Sequence, residues 1–248
     1  MQRSLSWVAL AALAALCGLP ARLPPGIQYG AAVAAESPVW DDAAASFSPP
    51  ADSAALDEML RDSSGQRQHW TSVPNLVVLT SVMDYHAGES SEYAATSELV
   101  NAEDTEGLVA DLTLALRLLT NNRFEQFATI QYQTVPAGSS VTVVRPKQIV
   151  VGRYQGVRRL AQTIGFGGRK ARRDGAIIGA AILLDNDFDR TSGTRRLLRT
   201  HELGHALGFN HVKSRLSIMN PRIGPEVTAL DRQIMMLAFQ RPGSSPTE

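Results

Sequence analysis

Along the chain, apolar residues change spacing in a way that marks successive elements. Residues 75–83 (NLVVLTSVM) have the β-branched density of a strand. Residues 105–122 put Leu108, Leu112, Ala115, Leu116 and Leu119 on one helical face and end at an Asn pair. QFATIQYQTV (126–135) and QIVVGRY (148–154) read as further strands, and VRRLAQTIG (157–165) as a short helix. GAIIGAAILLDND (175–187), apolar and bounded by Gly and Asp, is expected to be a strand. A helix beginning at Ser192 or Thr194 then runs to Leu207. A last helix fits EVTALDRQIMMLAFQ (226–240), with Val227, Leu230, Ile234 and Leu237 sharing a face. Strands interleaved with helices predict an α+β fold of mixed α/β layers.

The two ends follow neither pattern. Arg3 precedes an apolar run from Leu5 to Leu19, too short for a membrane span and suited to a signal-peptide core. Small residues place candidate cleavage points after Ala21 and after Ala35, so 1–35 reads as a signal peptide; an uncleaved anchor is the alternative. Residues 36–69 are rich in Ala, Ser, Asp and Pro and read as a linker or short pro-segment, with one helical turn around Leu56–Leu60. The tail 241–248 has the composition of disorder. The expectation is a secreted, periplasmic or extracellular monomer without stable membrane association once the signal is removed.

Composition narrows the chemistry. The chain has 248 residues, 44% of them hydrophobic and 19% charged, enough to bury a core without covalent staples. Its formal net charge is zero, which argues against nucleic acid as the main partner. Cys17 is the only cysteine and lies in the signal segment. The remainder can form no disulfide, and any metal site must use His, Asp and Glu.

RTHELGHALGFNH (199–211) holds three of the five histidines. Residues four apart share a helical face, so His201 and His205 can aim two imidazoles at one point. Zinc accepts such nitrogens at about 2.0–2.1 Å. Glu202, beside the first histidine, can take a proton from a water activated there. A helix continued past Leu207 would carry His211 away from that point. Gly208 can adopt a left-handed conformation, end the helix and let the chain double back to supply His211 as a third ligand. At this composition the full H-E-x-x-H-x-x-G-x-x-H pattern arises by accident in roughly one such chain in 10⁵, which sets aside a helix end with satisfied surface histidines.

HELGHALGFNH followed by SIMNP (217–221) resembles the metzincin zinc-endopeptidase clan, and within it the matrixin-type catalytic domain. The resemblance is specific at the motif; from 70 to 174 only element order supports it. It implies a catalytic domain over 70–240: a twisted sheet, an active-site helix, a methionine turn with Met219 as an apolar floor, and a C-terminal helix. It also implies one catalytic Zn2+ on His201, His205 and His211, with Glu202 as general base and a protein or peptide as substrate. That substrate would lie extended along an edge strand within 175–184, and the residues from Met219 to Glu226 would wall the pocket beyond the scissile bond. Some family features are missing. Pro221 stands where astacin- and serralysin-like members carry a tyrosine, and no propeptide cysteine is present to enforce latency. His69 and His86 are too few for a second, structural zinc and read as ordinary loop residues.

Two weaker signals remain. DNDFDRTSG (185–193) presents Asp185, Asp187 and Asp189 at alternate positions, as Ca2+ loops do, but Arg190 stands where an EF-hand needs Gly. A solvated loop is the preferred reading, with Ca2+ as the alternative. GFGGRKARRDG (165–175) reads as a mobile basic surface loop rather than a phosphate loop or processing site. The rival functions are a non-catalytic zinc-binding interaction module, against which Glu202 argues, and a gluzincin-type peptidase, against which His211 argues.

Overall fold

A computed structural model of the chain describes residues 28–29, 53–87, 91–213, 216–222, 224 and 226–239. The apolar run 5–19, both candidate cleavage points and the tail 241–248 lie outside the described residues. In chain order the elements are β1 (Gln28–Tyr29), α1 (Ser53–Leu60), β2 (Asn75–Leu79), β3 (Ser81–Asp84), β4 (Glu92–Leu99), α2 (Ala102–Leu119), β5 (Ile130–Gln133) and β6 (Ser140–Thr142). They continue with β7 (Gln148–Gln155), α3 (Val157–Ala161), β8 (Gly165–Ala171), β9 (Ile177–Asp185), α4 (Asn186–Thr191), α5 (Arg195–Leu207) and α6 (Ala229–Ala238). No helix among the described residues is long and apolar enough to cross a membrane.

The centre of the fold is a parallel set, β5–β2–β7–β9, with β8 returning antiparallel on β9. Leu76, Val78, Ile149, Val151, Ala180, Ile182 and Leu184 face a core shared with α1, α2, α5 and α6. Val77, Leu79, Val150, Ala181 and Leu183 face a second core on the other side of the sheet. Strands covered on both faces read as continuous apolar runs, which explains why β7 and β9 stood out in the sequence. The mixed α/β layers are those expected.

The run 75–83 forms two strands rather than one. At Ser81 the hydroxyl donates to the Val135 carbonyl and accepts from the Val135 amide, replacing ladder bonds with side-chain bonds. β3 then continues parallel to β7 and carries β4, which pairs with β6. In α2 the buried positions include all five anticipated apolar residues, and Asn101 caps the helix by accepting from the Asp104 amide. The face of α6 is rotated from expectation: Leu230, Ile234, Met235 and Ala238 are buried, Leu237 is exposed, and Val227 precedes the helix.

Residues 165–171 are not a surface loop. They form β8, buried from Gly165 to Arg169 and lying against α5. The closeness demands glycine, since a β-carbon at Gly167 would sit 2.2 Å from the Glu202 carbonyl oxygen. β9 is not an edge strand either, because β7 and β8 flank it. The outer edge belongs to β8, where β1 pairs antiparallel with Gln28 opposite Arg169 and Tyr29 opposite Gly168.

Asp185–Thr191 is neither a solvated loop nor a Ca2+ loop. Asp185 caps α4 by accepting from the Phe188 amide, and Asp189 is fully buried between two arginines. Within the segment that composition marked as linker, α1 packs Ala55 and Met59 into the main core.

Candidate metal centre

Helix α5 lies between β8 and α2 and buries every residue from Leu198 to Leu207. Its beginning is anchored by charge. Arg199 grips Asp189 with Nε and Nη2, both at 2.7 Å, and reaches Asp111 on α2 at 2.8 Å; Arg153 from β7 adds a further contact to Asp189 at 2.7 Å. The helix stops at Gly208, whose φ of 118° is the left-handed conformation anticipated, and whose amide donates to the Gly204 and His205 carbonyls. A side chain there would also collide with the backbone, since a β-carbon would lie 2.4 Å from the Gln68 carbonyl oxygen.

The reversal brings His211 back to the two helical histidines. The three Nε2 atoms stand 3.0, 3.0 and 3.1 Å apart. His201 Nδ1 lies 2.6 Å from the Ile218 carbonyl oxygen, and His205 Nδ1 lies 2.9 Å from that of Phe209. A carbonyl only accepts, so each of these Nδ1 atoms carries the proton and each Nε2 presents a lone pair. Burial favours the neutral form of all three rings. It pulls His201 down to about 4 and His211 to about 2, and pushes His205 well below its ordinary value. Lone pairs of neutral imidazoles repel at such separations unless a cation lies between them. Tetrahedral zinc with nitrogens at 2.0–2.1 Å sets them about 3.3 Å apart, so this donor set fits that ion. Among the described residues it is the one cluster of at least three His, Cys, Asp or Glu side chains suited to a metal.

Glu202 faces β8 beside the triad, 1% exposed, and neither carboxylate oxygen has a hydrogen-bond partner among the described residues. Desolvation holds its pKa well above the carboxylate range, opposed by the nearby Gly167 amide. An orphaned buried carboxylate is costly and marks a place where a polar ligand belongs.

Met219 is fully buried beneath the helix at Gly204. Its turn is tied down from α6, where Asp231 accepts from the Ser217 hydroxyl, the Ile218 amide and the Thr228 amide and hydroxyl. Thr228 and Asp231 also form a capping box for α6, a spacing that was visible before the apolar run. Asp231, Asp189 and Arg169 are the site's unanticipated supports, and the latter two lie in segments that composition presented as loops. His86 is exposed on Tyr93, and His69 is half-buried away from the triad. Asp185, Asp187 and Asp189 do not converge on a common point.

No family model matches the chain, and no curated protein does. Among solved structures, the crystal structure of metalloproteinase-II from Bacteroides fragilis is similar at 12% identity and a TM-score of 0.38, covering 76% of this chain. The chain spans 61% of that protein's length.

Proposed function

We propose that the chain is a zinc-dependent endopeptidase, with His201, His205 and His211 holding the metal and Glu202 moving the proton. The observation that carries this reading is the convergence of three Nε2 atoms beside a buried carboxylate whose oxygens have no hydrogen-bond partner among the described residues. When bound, zinc supplies a Lewis acid that polarises a carbonyl and acidifies a water. Glu202 takes the proton from the attacking water as its oxygen joins the carbonyl carbon. It then delivers that proton to the leaving nitrogen as the C–N bond breaks, giving a carboxylic acid and an amine. A structural zinc site has no use for such a carboxylate, which weighs against a non-catalytic module. The edge that an extended peptide would use, by main-chain pairing, is the outer edge of β8, which β1 covers opposite Gly168 and Arg169.

The test is Glu202→Gln, which keeps shape and removes the base. Residues 36–248 are expected to bind one zinc and cleave a mixed peptide library; the variant should bind zinc equally and lose cleavage by about 10²-fold or more. Retained cleavage in the variant would overturn the mechanism.

A further inference from the structure

We propose that Arg169 is a positioning residue for the metal centre, holding the chain reversal that returns His211 to His201 and His205. This rests on the metal reading above.

Arg169 closes the alternation Gly165, Gly167, Arg169 on the face of β8 that meets α5. The two glycines admit the helix, and the arginine reaches its C-terminal end. The side chain is 2% exposed, yet four of its N–H groups find acceptors. Nη1 donates to the His205 carbonyl at 2.9 Å and the Phe209 carbonyl at 3.1 Å. Nη2 donates to Asn210 Oδ1 at 2.7 Å, and Nε donates to Gln68 Oε1 at 2.6 Å. Three of these acceptors bracket Gly208, where the helix ends and the chain turns.

The Phe209 carbonyl is shared. It accepts from Arg169 and from His205 Nδ1, so the guanidinium fixes the acceptor that orients the His205 ring and points its Nε2 at the metal position. Asn210 is held from the other side as well: its amide donates to the Met59 carbonyl, and its Nδ2 to the Arg61 carbonyl. His211 follows directly.

A buried guanidinium needs a counter-charge, and here it is relayed. Gln68 passes the contact on, its Nε2 donating to Asp62 Oδ2 at 3.0 Å, while Asp62 Oδ1 accepts from the Ser64 and Gln66 amides. The helix C-terminus supplies further negative potential. Lysine could carry the charge but cannot span four acceptors in one plane.

The test reads metal binding, not cleavage. Zinc affinity is measured by competition with a chromophoric chelator, the Co2+-substituted protein by its visible absorption, and the metal-free protein by thermal unfolding. Arg169→Lys is expected to lower zinc affinity by about 10–100-fold and alter the Co2+ bands, while the metal-free protein still unfolds cooperatively. Asn210→Ser removes one of the four Arg169 contacts, along with the Nδ2 bond to the Arg61 carbonyl, without stranding a buried charge. It should weaken zinc several-fold, and the double variant should lose less than the two single losses combined. Wild-type affinity and Co2+ bands in Arg169→Lys would overturn the proposal. If Arg169→Lys does not fold, an unchanged Asn210→Ser would overturn it and a weakened one would support it. Normal affinity in these variants beside a zinc-loaded, inactive Glu202→Gln would sink this inference alone. A wild-type chain that binds no zinc would sink it together with the metal reading.

Discussion

The α-carbon of Gly204 lies against the sulfur of Met219, so closely that a β-carbon there would sit 2.4 Å from Sδ. Helix and methionine turn therefore meet without an intervening side chain, between the two helical histidines. Helix propensity alone says Gly204→Ala should gain about 0.5–1 kcal/mol. Overpacking a filled core costs about 1–3 kcal/mol, and Met219 is wholly buried with little room to yield. The net expectation is destabilisation, read by urea unfolding of the metal-free protein. A more stable variant would mean that Met219 swings aside freely.

Asp189 is the common partner of Arg153 and Arg199, whose side chains are almost completely buried. Removing the carboxylate by Asp189→Ala strands Arg153 without its charge partner and leaves Arg199 with Asp111 alone. Breaking such a buried cluster from one side costs about 3–5 kcal/mol. The denaturation midpoint of Asp189→Ala should fall accordingly. A loss below about 1 kcal/mol would mean that water enters and solvates the arginines.

The triad was legible because its logic is local. Helical spacing puts His201 above His205, and only a helix stop at Gly208 makes His211 useful. The Arg169 support was not legible, because it is a contact between distant segments. Gln68 and Arg169 are 101 residues apart in sequence, and neither neighbourhood carries a motif. The glycines of β8 were misleading for a physical reason: composition cannot distinguish glycine used for a turn from glycine used for close approach. The place of β9 in the sheet was equally hidden. Its apolar run reports burial on both faces, while its neighbours are decided by how β8 folds back on it.

Asp62 gives the acid limb of stability a specific prediction. Burial alone would raise its pKa, but hydrogen bonds from Ser64, Gln66 and Gln68 outweigh this and hold it below the usual value. A carboxyl depressed in the folded state contributes stability above its unfolded pKa, and that contribution is lost as pH falls through the folded value. Asp62→Asn should therefore be less stable than wild type at about pH 6, and the gap should narrow as pH falls below the ordinary aspartate range of about 3.9. Urea unfolding across that range reads it directly. A gap independent of pH would show that the aspartate acts through shape rather than charge.

The residue at which the chain starts should matter for peptide turnover. Gln28 and Tyr29 pair with Arg169 and Gly168 on the outer edge of β8, the same backbone groups that an extended peptide would use. A chain beginning at residue 22 keeps that strand, whereas one beginning at residue 36 lacks it. A tethered segment competes at an effective concentration on the order of mM, so a two-residue strand shifts apparent affinity only modestly. The longer chain should show KM raised by roughly two- to tenfold with kcat unchanged, and a peptide spanning 22–35 should inhibit the shorter chain competitively. Both chains should bind zinc alike, because β1 pairs with the backbone of Arg169 whereas the His211 turn is held by its side chain. Equal KM values would mean that peptides do not use this edge of β8.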